Sequence, residues 1–223
     1  MADKEILIFV EGPSDKVFLE VYLYFLEDFP IKNFKVKDVK GKDNLSKRLL
    51  EIEKYDKTLI IFDANKDYES NKKEILIVVS KRKQTISEEQ IFLFPNNQDD
   101  GDLETLLLEI AKHDEFLKCF ESYLECIKSK EHHEPIKNIR KNMLYAYLEV
   151  FELQKFFQYK WDTNNKKQEK CLIDDKGKIK EKNKEEYEKL KEVIDFNSKS
   201  LIPLKNFLGQ FAENKQKTKL KIF

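Results

Sequence analysis

Short apolar runs alternate with amphipathic stretches through the first half of the chain, and this alternation predicts strands followed by helices. Residues 5–10 are almost continuously apolar at Ile6, Leu7, Ile8, Phe9 and Val10, the pattern of a strand covered on both faces of a sheet. Gly12-Pro13-Ser14 breaks the run, and Ser14 is a suitable cap for a helix over residues 15–26. Within that helix Val17, Phe18, Val21, Tyr22 and Phe25 recur at three- and four-residue spacing. The order repeats: a strand at 34–39, a turn at Gly41, and a helix capped by Asp43 or Asn44 and reaching about residue 54. Residues 58–62 predict a third strand, central because Leu59-Ile60-Ile61-Phe62 is apolar throughout, and it stops at Asp63. A helix over 68–81, a strand at 91–94, a turn at Pro95-Asn96-Asn97 and a helix over 103–111 complete the series. Strands separated by helices of this length specify an α/β fold, a mostly parallel, Rossmann-like sheet of about four strands flanked by helices.

Beyond residue 112 the strand signals stop. Phe116, Phe120, Tyr123, Leu124 and Ile127 form one helical stripe, and helical patterns recur at 143–157, 187–194 and 204–211. Between them, 164–183 is rich in lysine and carries the turn Asp175-Lys176-Gly177, which predicts a loop or small hairpin. The expected organisation is an α/β domain over 1–112 and a mostly helical extension over 113–223. Periodicity leaves open whether the extension packs on the sheet. The aromatics Tyr145, Tyr147, Phe151, Phe156, Phe157, Tyr159 and Trp161 suit core packing better than base stacking, because aromatic rings carry much of a core's buried area.

Composition narrows the classes. Charged residues make up 38% of the chain, with only 5 Gly and 5 Pro, which favours long solvated helices over an all-β fold. No apolar run approaches the ~18 residues of a membrane-spanning helix. The start Met1-Ala2-Asp3-Lys4-Glu5 lacks the basic-then-apolar order of a signal peptide, so a cytoplasmic protein is expected. Cys119, Cys126 and Cys171 form no CxxC pair, and His113, His132 and His133 lack zinc-ligand spacing. Net charge is zero, so no whole-molecule field draws in nucleic acid. Acidic residues crowd between Asp99 and Glu109, whereas Lys166, Lys167, Lys170, Lys215, Lys217, Lys219 and Lys221 are basic. An acidic pocket beside a basic rim suits a phosphodiester; separate solvated charge runs are the plainer reading.

Three groups of carboxylates fall just past predicted strands: Glu11 with Asp15, Asp63 with Asp67, and Asp99, Asp100, Asp102 and Glu104 in the loop after the fourth. Ligands of open parallel sheets bind at that edge. Crowded acids oppose one another's ionisation, a conflict that a hard cation such as Mg²⁺ or Mn²⁺ removes. Helix-start electrostatics account equally well for Asp15, Asp102 and Glu104. Glu11 and Asp63 directly follow apolar strands, where capping requires no acid.

These motifs carry a family resemblance. Residues 8–15, an apolar strand then Glu11-Gly12-Pro13-Ser14-Asp15, resemble the opening Glu-Gly-x-x-Asp motif of the Toprim family, and Leu59-Ile60-Ile61-Phe62-Asp63-Ala64-Asn65 resembles its Asp-x-Asp strand. Phe92-Leu93-Phe94-Pro95-Asn96-Asn97 followed by Asp100, Asp102 and Glu104 is similar to the late acidic element of OLD-type Toprim nucleases, and Gly41-Lys42-Asp43-Asn44-Leu45 to the glycine turn of their small relatives. The likeness spans about residues 5–111. It implies a Mg²⁺- or Mn²⁺-dependent nuclease acting on DNA, with Glu11 and Asp63 catalytic. The implied metal ligands are Glu11, Asp15, Asp63, Asp67, Asp100, Asp102 and Glu104, with Gly12, Gly41 and Lys42 contacting substrate. Asn65 stands where the family commonly has a second Asp, a neutral and weaker ligand. The alternative is a non-catalytic Toprim module that binds a protein or nucleic acid. No G-x-x-x-x-G-K-[ST] loop is present in the first 110 residues, so any ATPase would be a separate partner.

Overall fold

The computed structural model describes residues 6–26, 34–80, 86–131, 134, 136–154, 181 and 184–211. The predicted hairpin around Asp175 lies outside them, as do Cys171 and the lysines at 166–170 and 215–221. Four strands form the sheet: β1 (Ile6–Val10), β2 (Phe34–Asp38), β3 (Lys57–Asp63) and β4 (Ile91–Phe94). All pairings are parallel, in the order β2-β1-β3-β4. The fold is α/β and Rossmann-like, as the alternation predicts. Eight helices are described: α1 (Pro13–Phe25), α2 (Leu45–Arg48), α3 (Tyr68–Ser80), α4 (Leu103–Glu109), α5 (Asp114–Lys128), α6 (Ile139–Val150), α7 (Lys184–Val193) and α8 (Ile202–Gly209). None of the described helices is long and apolar enough to cross a membrane.

The sheet is buried on both faces because alternate residues point to opposite layers. Ile8, Val10, Leu59, Ile61, Phe92 and Phe94 join one core, and Leu7, Phe9, Ile60, Phe62, Ile91 and Leu93 join the other. The first core takes Val17, Phe18, Val21 and Tyr22 of α1 together with Leu103, Leu106 and Leu107 of α4. The second takes Leu45, Leu49 and Ile52 together with Ile75 and Val79 of α3. Each such side chain stabilises the fold by about 1.5–3 kcal/mol.

The helical half is continuous with the first core. Leu144, Tyr147 and Leu148 of α6, Tyr187 and Leu190 of α7, and Leu204, Phe207 and Leu208 of α8 bury against the same face of the sheet. Phe207 meets Phe92 at 5.3 Å between ring centroids, and Phe25 meets Tyr187 at 5.8 Å. The backbone stitches the halves together as well, Lys112 N donating to Val193 O at 2.9 Å and Asp195 N to Ile110 O at 2.8 Å.

Three local expectations differ, one being the helix predicted over 143–157, which instead runs from Ile139 to Val150. Gly12, not Ser14, caps α1, with Pro13 in the first turn, and the Asp15 carboxylate takes the Gly12 N–H at 2.7 Å. The helix predicted to reach residue 54 is α for only four residues and then 3-10 over Leu49–Lys54. Leu49 and Ile52, three apart, are both buried there, and 3-10 winding stacks that spacing on one side.

Candidate metal centre at the strand ends

The helix after β1 and the helix after β3 pack on opposite faces of the sheet, so the carboxyl ends of these neighbouring strands open a switch point, the place where such sheets bind ligands. Val10 pairs with Ile61 in register, which sets Glu11 and Asp63 at that point. Asp15 enters from the first turn of α1, its carboxylate turned back to Gly12 N. Glu104 enters from the first turn of α4, and Asp63 Oδ1 accepts from Leu103 N at 3.0 Å, tying β3 to that helix.

Glu11, Asp15, Asp63 and Glu104 act on one another electrostatically. Burial pushes the Asp15 carboxyl up to about 7, against the Gly12 N–H, with the charges of Glu104 and Glu11 adding to the rise. Burial also holds Asp63 well above the ordinary range, reinforced by Asp15, Glu11 and Glu104. Glu11 is raised by burial, opposed by the N–H groups of Asp63 and Lys42 and by the Lys42 charge. Glu104 is raised chiefly by burial and by Asp102, against its own N–H, Lys141 and Arg140.

The remaining candidates are otherwise engaged. Asp102 caps α4, accepting from Thr105 N at 2.9 Å, and takes a forked contact from Arg140 at 2.8–3.2 Å. Burial works upward on it, but the hydrogen bonds from Arg140 and Thr105 outweigh that and hold its carboxyl low. Asp67 accepts from Ser70 N at 2.9 Å and Asp100 from Tyr68 N at 2.7 Å, so each serves the start of α3. Asn65 is an exposed turn residue with φ 57°, bridged to Gly101, a backbone region Asn tolerates better than most residues. Gly41 adopts φ 97° and donates to Glu11 O at 2.9 Å. Lys42 reaches α3, where Nζ meets Asn71 at 2.7 Å and also Glu74.

Oxygen-only donors suit a hard divalent ion. Glu11 Oε2 is buried without a hydrogen-bond partner, the kind of orphan atom that a ligand accounts for. Among the described residues no three His, Cys, Asp or Glu side chains enclose a cation unaided. Mg²⁺ ordinarily takes one or two carboxylates and completes its shell with water and substrate phosphate.

Several groups at this edge escape sequence reasoning. Asp38, paired with Val10, ends β2 with a buried Oδ2 that lacks a partner, and its strand-end position was the available signal. Arg140 and Lys141 reach the cluster from the first turn of α6, acting electrostatically on Glu104. Cations at a helix start oppose the macrodipole, so the run Arg140-Lys141 asks for another reason to be there. Gly101 is needed because φ is 148° and a Cβ would lie 2.9 Å from both Pro95 and Thr105.

No curated protein and no solved structure matches the chain. A family model described as Protein of unknown function (DUF3226) matches residues 5–213, and the chain belongs to that family.

Proposed function

We propose that the protein is a cytoplasmic, divalent-metal-dependent nuclease of the Toprim type that hydrolyses phosphodiester bonds in DNA. One observation carries the reading: Glu11, Asp15, Asp63 and Glu104 come from three strand ends into one partly buried, mutually repelling cluster. Such crowding opposes folding unless a cation offsets it. The motifs at Glu11-Gly12-Pro13-Ser14-Asp15 and at Asp63 add support, as do the free thiols of Cys119 and Cys126 for a reducing compartment.

Glu11 and Asp63 would hold Mg²⁺ or Mn²⁺, with Asp15 and Glu104 flanking. The ion supplies a polarised phosphoryl oxygen and a bound water of lowered pKa. Glu11, raised by burial and with an unpartnered oxygen, is suited to accept the proton of the attacking water. Leu103 N–H fixes the Asp63 carboxylate in place. The second reading, a non-catalytic binding module, draws on Asp102, whose ion pair with Arg140 removes one carboxylate from the ligand set.

The test is calorimetric titration of Mn²⁺ and Mg²⁺ into wild type and Asp63→Ala, with cleavage of linear and circular DNA assayed on the same samples. Expected are metal binding and metal-dependent cleavage in wild type, with cleavage reduced by at least about 100-fold in Asp63→Ala. Wild type that binds neither ion, or cleavage unchanged in the variant, overturns the proposal.

A further inference from the structure

Beside the acidic cluster lies an open cleft of about 540 Å³, lined by Lys66 from the loop after β3 and by Lys137, Arg140 and Lys141 around the start of α6. Two acids share the lining, Asp102 and Glu104. Asp102 is neutralised by the forked contact from Arg140. Lys66, Lys137 and Lys141 are exposed, and none has a carboxylate partner within ion-pair distance among the described residues. Lys141 Nζ lies 5.7 Å from the centre of the Tyr145 ring, and its charge acts on Glu104 and Asp15 without a direct ion pair to either. Three cations without a direct ion pair therefore line one recess, and Glu104 makes that recess continuous with the carboxylates at the strand ends.

We propose that this cleft docks the phosphodiester backbone of a nucleic acid, with Lys66, Lys137 and Lys141 as its phosphate contacts. The inference deepens the nuclease reading and rests on it for what happens to the docked strand. Lysine ammonium groups on flexible stems neutralise successive phosphates without reading bases, so the binding is sequence-independent and salt-sensitive. A backbone held along these cations passes directly to Glu104 and the cluster behind it. α6 is thereby part of the site, although the run it belongs to lies outside the Toprim-like segment. Arg140 stays with Asp102 and positions the start of α6 against α4.

Fluorescence anisotropy of a short labelled single-stranded DNA and of its duplex, in chelator across a salt series, tests the surface apart from catalysis. The triple variant Lys66→Glu, Lys137→Glu, Lys141→Glu is expected to bind at least one probe about tenfold more weakly, with the slope of log affinity against log salt shallower by about 2. The corresponding triple Lys→Arg variant keeps wild-type affinity and slope, as does Lys205→Glu on α8, outside the cleft. The proposal is overturned if wild type binds neither probe. It is also overturned if the charge reversal matches Lys205→Glu, or if the arginine variant loses as much as the glutamate one. Its fate is separable from that of the nuclease reading. Weakened binding by the reversal with no cleavage in any metal keeps the docking surface and removes the nuclease. Cleavage lost in Asp63→Ala with binding untouched by the reversal does the opposite.

Discussion

The acids at the ends of β1 and β3 and those in the loop before α4 are the same residue types at the same edge of the sheet, yet their circumstances are opposite. Glu11, Asp15 and Asp63 crowd one another and are pushed toward protonation by burial. Asp102 is bound by Thr105 and Arg140 and held ionised, while Asp100 accepts the Tyr68 N–H at the start of α3. The loop carboxylates therefore stabilise the fold, whereas the strand-end carboxylates oppose it once ionised. A chain that keeps the second kind is retaining something folding alone does not require.

The largest expected effect is on the pH dependence of stability in chelator. A carboxyl raised on folding binds its proton more tightly in the folded state, so the stability it lends is present in acid and is lost as pH climbs through the folded value. For Asp15, facing Glu11, Glu104 and Lys141, and for Glu20, facing Lys16, that window runs from the ordinary 3.8 or 4.5 up to about 7. Chemical denaturation is expected to show a loss across it on the order of 4 kcal/mol from Asp15 and on the order of 3 kcal/mol from Glu20. Saturating Mn²⁺ should restore the part due to the cluster. It should not restore the part due to Glu20, which Glu20→Gln removes separately. A profile indifferent to Mn²⁺ would break the contrast between the two sets of acids.

Next in size, Asp63→Asn keeps an acceptor for Leu103 N–H and removes one repelling charge. Metal-free protein at pH 8 is expected to gain stability in denaturant unfolding while losing metal affinity. Gly101→Ala forces a side chain into a backbone conformation and a space that exclude it, and a loss of about 2 kcal/mol is expected in thermal or denaturant unfolding. Asp102→Asn should run opposite in sign to Asp63→Asn, losing about 1 kcal/mol because a cap and an exposed ion pair are weakened. Stabilisation by Asp102→Asn would show that the loop acids belong to the strained set after all.

Much of the frame was legible in the chain. The strand at Ile91–Phe94 starts and stops where its apolar run does, and the strand at Lys57–Asp63 ends on the acid that breaks its run. Such runs are local, and burial on both faces leaves little alternative to a parallel sheet. Glu11 and Asp63 were legible for a related reason, since an acid directly after a buried strand has no local explanation. Ser14 does not cap α1 because Pro13 already favours the first helical turn, which moves the cap back to Gly12.

By itself, then, the sequence determined the α/β order, the placement of the strands and the presence of acids at their ends, because periodicity and chain breaks act over a few residues. Only the tertiary structure decided which acids share a site and that the helical half completes the sheet's core. It also decided that Arg140 pairs with Asp102 across 38 positions and that Lys137 and Lys141 line a cleft with Lys66. Those outcomes depend on where α6 docks, and docking is set by the apolar faces of Leu144, Tyr147 and Leu148, whose spacing specifies that they bury without specifying what they bury against.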